Sequence, residues 1–123
     1  MVESIAVAPL LLAGSPDAGT QLAGLAAGEL IATVALPPHT PRALDAQAAD
    51  LVLLAENGTA SLTQAGTRDA SVDPSRGVFD VAATGSTWDA DTARAYEMGA
   101  LATAAQLIGA GQAMLNTAVD YAK

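Results

Sequence analysis

Polar and apolar positions divide the chain into three zones. Residues 4–27, SIAVAPLLLAGSPDAGTQLAGLAA, read as two short helical pieces interrupted at GSPDAG. Ser15-Pro16-Asp17 has the chemistry of a helix start, with Ser15 as N-cap and Pro16 in the first turn, where its missing N–H is no loss. Gly28 is placed to end that helix. From 29 to 88 the pattern turns to strands. LIATVAL (30–36) is a β-rich apolar run that stops at Pro37-Pro38, because proline cannot donate to a ladder. LVLLA (51–55) and ASLTQA (60–65) flank ENGT, and Asn57-Gly58 is a strong hairpin signal, since both residues tolerate the positive φ of a type I′ turn. GVFDVAA (77–83) alternates like a half-buried strand and follows the turn-forming DPSRG. This zone is predicted to be a small antiparallel sheet.

From about residue 90 the pattern is helical to the end, with Asp89 or Asp91 as cap and dipole partner. MGALATAAQLIGAGQAMLNTAV, residues 98–119, contains no charged side chain. On a helical wheel Met98, Leu101, Ala105, Ile108, Leu115 and Val119 form one stripe. Tyr96, Ala100, Leu107, Met114, Ala118 and Tyr121 form a second, about a third of a turn away. The sheet is expected to cover one stripe, and the N-terminal pieces are too short to cover the other. Each large side chain left in water would forfeit about 1.5–3 kcal/mol, against a total stability of about 5–15 kcal/mol. The pattern therefore predicts cover from outside these residues, by a partner subunit or by further chain. The length would also suit a bilayer. Gln106, Gln112, Asn116, Thr103 and Thr117, and the lack of flanking Lys/Arg clusters, argue for helix neighbours and against a membrane span. Gly99, Gly109, Gly111 and the many alanines would allow those neighbours close.

The expected fold class is thus α+β: short N-terminal helices, a small antiparallel sheet and a long C-terminal helix. Composition then removes several functions. Thirteen Asp and Glu stand against five scattered Lys and Arg, a formal charge of −8. Nucleic acid and anionic membrane surfaces both require clustered cations, so neither is an expected partner. With no cysteine and one histidine the chain has no disulfide, no thiolate nucleophile and no zinc-type donor set. Glu3 stands where a signal peptide would carry basic residues, so a cytoplasmic location is expected.

GELIATVAL, AADLVLLAENG, SVDPSRGVFDV and GALATAAQLIGAGQAMLNTAVDYAK follow one another in the order seen in acyl-CoA dehydrogenases. The chain resembles the divergent, alanine-rich actinobacterial members of that family that act in lipid and steroid catabolism. The resemblance implies that 1–28 is the end of an N-terminal helical domain, 29–88 a shortened middle β-domain, and 89–123 the first helix of a C-terminal bundle. It implies α,β-dehydrogenation of an acyl-CoA thioester: a glutamate takes the α-proton while the β-hydride passes to FAD. The flavin of the family lies between β-domain and bundle, partly held by a neighbouring subunit. IATVAL matches the strand that ends in a flavin-contacting Thr-Glu-Pro loop, which makes Ala35 and Leu36 the cofactor-binding positions. The match breaks at Pro37-Pro38, which stand in place of Thr-Glu. No residue here matches the catalytic glutamate. The implied role is therefore part or subunit of a flavin-dependent dehydrogenase, inactive alone, forming a homo- or hetero-oligomer through the C-terminal helix. The alternative is a non-catalytic subunit that completes a partner's bundle.

Individual residues add little catalytic chemistry. His39 in PPHTP lacks a Ser or Asp partner nearby in sequence and reads as a loop histidine. Glu56 adjoins a hairpin turn, and Glu97 lies in the first turns of a helix, where the dipole accounts for it. GAGQAM has the outline of a dinucleotide fingerprint but lacks the third glycine and sits inside a helix. Trp88, at the junction of sheet and helix, reads as a packing anchor.

Overall fold

In the computed structural model, which describes residues 2–123, a π-helical turn over Glu3–Val7 runs into α1 (Ala8–Leu12). Pro9 sits in the first turn of α1, where its missing N–H leaves the carbonyl four residues earlier without its usual donor. α2 (Ala18–Ala27) ends at Gly28, whose φ of 73° is the left-handed value that glycine supplies without strain. Seven strands follow: β1 (Ala32–Ala35), β2 (Ala43–Leu44), β3 (Leu51–Glu56), β4 (Thr59–Thr63), β5 (Arg68–Asp69), β6 (Val78–Phe79) and β7 (Thr87–Asp89). The 30-residue helix α3 (Thr92–Tyr121) closes the chain and is about 45 Å long. The fold is α+β, with short N-terminal helices, mainly antiparallel strands and a long C-terminal helix.

The strands form two sheets, one in the order β1-β3-β4-β7 and one in the order β2-β6-β5. All pairs are antiparallel except β1–β3, which run parallel in the register Ala32↔Leu51 to Ala35↔Leu54. The parallel pair arises because the chain leaves β1 through the proline loop, lends β2 to the other sheet, and only then returns as β3. A crossover of that kind brings consecutive strands side by side in the same direction. Asn57 and Gly58 take φ of 52° and 81°, as the hairpin signal predicts, and join β3 to β4 with Glu56 opposite Thr59.

Burial explains why β1 and β3 read as unbroken apolar runs. Ala32, Val34, Leu53 and Ala55 pack with Val7, Leu11 and Leu12 under the helical layer. Ala35, Val52 and Leu54 face the other way, against Ala43 and Phe79 of the second sheet. Alternate side chains thus enter different cores, and the one polar side chain of β1, Thr33, is buried with its hydroxyl 2.8 Å from Glu3 and 2.7 Å from the Leu44 carbonyl. The outer edge of β1 is covered as well. The Ser4 hydroxyl accepts from the Ala32 N–H at 2.9 Å and donates to the Ala32 carbonyl at 2.9 Å. An edge that would otherwise offer free ladder groups is closed by the N-terminal turn.

Several boundaries differ from the sequence reading. α2 begins at Ala18 instead of Pro16, because the Ser15 hydroxyl donates to Gln21 Oε1 at 3.0 Å and accepts from the Asp17 N–H, making a turn of the expected cap. The strand expected at 77–83 contracts to Val78–Phe79, the length over which β2 and β5 flank it. Asp91 does cap α3, accepting from the Arg94 N–H at 3.0 Å. Trp88 is the anchor expected of it: its indole N–H donates to the Leu11 carbonyl at 2.7 Å, tying β7 to the end of α1. Gly14 permits that approach, since a Cβ there would lie 2.5 Å from the Asp89 carbonyl oxygen.

The sheet does not take a stripe of α3. Both faces of β1 and β3 are already covered, so α3 rests its first turns on the π-helical turn and α1 instead. Ala95 is its buried residue, and Gly99 meets Val7, where a Cβ would come within 2.9 Å. From residue 103 onward every position is exposed. Leu107 is 68%, Ile108 74% and Met114 68% exposed, so from residue 103 onward both apolar stripes lack cover among the described residues.

Replacing Trp88 by Phe keeps most of the apolar contact but strands the Leu11 carbonyl. We expect a loss of about 1–2 kcal/mol, read as a lower midpoint in urea denaturation with an unchanged slope.

Candidate functional site

The residues expected to meet a cofactor lie where β1 runs out beside the root of α3. Beyond Ala35 the chain folds back on itself: the Leu36 N–H donates to the Thr40 carbonyl at 2.7 Å, and the Thr40 N–H donates to the Leu36 carbonyl at 2.9 Å. Pro37, Pro38 and His39 are held in the resulting loop. Neither proline has an N–H to lose, so the tight return leaves no backbone donor orphaned at those positions. The His39 ring stacks on Tyr96 of α3, with centroids 4.2 Å apart and planes at 24°. The loop is therefore pinned to the helix by an aromatic contact that the sequence reading of an unpartnered histidine did not foresee. A residue separation of this size leaves no local signal; only the docking of α3 creates the pair.

Two clefts of about 380 Å³ flank this junction. One runs between the N-terminal turn, the end of β1 and α3, past Glu3, Leu36, Tyr96 and Leu107. The other lies under the proline loop, past Leu36, His39, Asn57 and Glu97. Of the two expected cofactor positions, Leu36 lines both clefts, whereas Ala35 is fully buried against the second sheet and pairs with Leu54 in the ladder. Glu56 is exposed where β3 enters the hairpin and lines neither cleft, while Glu97 is exposed beside His39. Gly109 and Gly111 lie within α3, with nothing near the places where their side chains would be.

Glu3, which in the sequence bears only on the absence of a signal-peptide pattern, is an ionisable group perturbed by the fold. Its carboxylate is half-buried between the N-terminal turn and β1 and accepts from the Thr33 hydroxyl at 2.8 Å. Burial raises its pKa above the usual 4.5, and the hydrogen bond from Thr33 only partly opposes this. Glu3 also borders a third cleft, of about 510 Å³, shared with Thr33, Arg76, Thr103 and Gln106. Arg76 is bound there to Asp45 at 3.0 Å, and Asp45 has a lowered pKa chiefly because it accepts from the Gly77 N–H. Asp45 takes a φ of 50°, a left-handed conformation that Asp tolerates better than most residues.

A dinucleotide such as FAD needs donors and cations for its diphosphate. Leu36 offers none, since its N–H and carbonyl are engaged by Thr40. Arg42 is held on the second sheet by Asp69 and Asp80, Arg76 by Asp45 and Lys123 by Asp120, while Arg68 donates to the Pro74 carbonyl and Arg94 lies in the first turn of α3; none of these five cations lines either cleft at Leu36. The described residues therefore do not make a complete flavin site by themselves. Among them, no three His, Asp or Glu side chains converge in a metal-holding group. Comparisons with protein-family models, curated proteins and solved structures find no match to this chain.

The raised pKa of Glu3 gives a sign-defined pH test. The fold favours its neutral form, so its contribution is greatest below 4.5 and is lost as pH rises through the higher folded value. Glu3→Gln is neutral throughout. We expect its melting temperature, relative to the parent chain, to rise between about pH 4 and about pH 7. Parallel curves would show that the titration is not coupled to folding. Asp45 and Asp73 act on the other side, their lowered values meaning that stability is lost as pH falls below 3.8.

Proposed function

We propose that this chain is a component of a flavin-dependent acyl-CoA dehydrogenase, contributing α3 to a helical bundle that other helices complete. One observation carries the reading: α3 leaves Leu107, Ile108, Met114 and Leu115 in water on more than one side of the helix. Burying those side chains is worth about 1.5–3 kcal/mol each, a strong drive toward association. The order of elements supports the same reading, since short helices, a small β-unit and a long protruding helix follow the order that the sequence resemblance implies.

In this proposal the flavin and the base for the α-proton are held mainly by other parts of the assembly. The chain's own contribution is positional: the loop from Leu36 to Thr40, clamped by His39 on Tyr96, sets the angle at which α3 leaves the β-unit. The second reading, a non-catalytic subunit that completes a partner's bundle, is favoured by a specific feature. The Leu36–Thr40 bonds close the strand-end loop on itself where the resemblance would have flavin contacts.

By length and composition α3 would also be able to cross a membrane. Gln106, Gln112 and Asn116 would then stand at depth in hydrocarbon. They suit a protein neighbour better.

Native mass measurement and absorption spectroscopy on the assembly test the proposal together. The expected result is a complex larger than one chain that carries flavin absorption and bleaches with acyl-CoA, while the isolated chain shows no turnover with an electron acceptor. A chain that is colourless once purified, yet copurifies with a larger dehydrogenase that keeps all the flavin, would select the non-catalytic reading. A colourless assembly, indifferent to acyl-CoA in its melting temperature, would overturn both.

A further inference from the structure

The stripe formed by Met98, Leu101, Ala105, Ile108, Leu115 and Val119 has alternating spacings of four and three once Gln112 is included. That is the spacing of a coiled-coil seam, in which each side chain enters a gap on a facing helix. The seam is exposed along its length. At about 100° per residue it lies about 120° around the helix from Ala95 and Gly99, which face the body of the protein. Among the described residues, nothing therefore stands in front of it.

Charge selects what can cover it. Residues 98–119 are uncharged, and the charges sit at the two ends: Asp91, Arg94 and Glu97 at the start, Asp120 and Lys123 at the finish. A parallel pair of such helices would set Arg94 beside Arg94 and Asp120 beside Asp120. An antiparallel pair with Met98 level with Leu115 of the second copy sets Arg94 beside the other copy's Asp120, and Asp91 beside its Lys123. Both ends are then complementary by the same operation, as a two-fold axis requires. Gln112, the polar position in the seam, donates to Asn116 Oδ1 at 2.9 Å and so has a partner on its own helix.

We infer that two copies of this chain pair antiparallel through this seam. The inference deepens the proposed function by naming one neighbour of α3, and rests on it only in taking α3 as a bundle helix. Beyond Tyr96, which stacks on His39, the second stripe with Leu107 and Met114 stays open for further helices.

Light scattering on the full chain should give a dimer. Arg94→Asp and Asp120→Arg, each alone, set like charges at both ends and should raise the dissociation constant about tenfold; the double variant should restore it. A spin label on Thr117→Cys should report about 30 Å between copies along the pair, where a parallel pair would give about 10 Å. A monomer, the shorter distance, or a double variant that dissociates like the single ones would overturn the inference. A monomer that still joins a larger flavoprotein would do so while leaving the dehydrogenase reading intact. A colourless antiparallel dimer indifferent to acyl-CoA would uphold the pairing and refute that reading.

Discussion

The parallel contact between β1 and β3 is the constraint around which the rest of the molecule is arranged. Both strands are buried on both faces, so the chain must supply a layer on each side and must also close the free edge of β1. The N-terminal turn meets two of these demands at once. Val7 and the leucines of α1 cover one face, while Ser4 bonds to Ala32 at the edge and Glu3 accepts from Thr33. The short strands β2, β5 and β6 cover the other face with little more than Ala43 and Phe79. The raised pKa of Glu3 is a consequence of this duty, since a carboxylate placed to close a strand edge is partly withdrawn from water.

Coverage of β1 and β3 on both faces is also what leaves α3 alone. A helix with two apolar stripes needs two neighbours, and the body of the protein has only a small patch, around Val7, left to give. The contact at Ala95 and Gly99 fixes where α3 begins and how it points, and the His39–Tyr96 stack braces it from the proline loop. Beyond that, its stability as an isolated rod rests on helix propensity, which Gly109 and Gly111 weaken by about 1 kcal/mol each. In the proposed assembly, neighbouring helices would complete this element and remodel the clefts at its root.

The candidate site was less legible than the fold. Leu36 does line the clefts at the root of α3, but Ala35 points into the second core, a distinction that depends on which sheet lies behind β1. His39 offered no partner within its own stretch of chain, and Tyr96 becomes one only after α3 docks. Glu3 carried no motif at all. Its perturbation comes from burial beside Thr33, thirty residues away, and no local pattern encodes a desolvation.

By itself the sequence determined the elements whose causes are local. Asn57-Gly58 made the hairpin through positive φ, Gly28 ended α2 by the same freedom, Asp91 capped α3, and the uncharged run from 98 to 119 made a helix apolar on too many sides. Tertiary structure decided what depends on partners distant in the chain. It set β1 parallel to β3, split the strands into two sheets, turned Ser15 from a helix cap into a partner for Gln21, and shortened the strand at Val78. It also gave the two faces of β1 and β3 to the N-terminal helices and the second sheet, leaving neither for α3. Dihedral preferences and capping act over a few residues, so a sequence states them directly. Which surface is already covered when a helix arrives is a property of the packed whole.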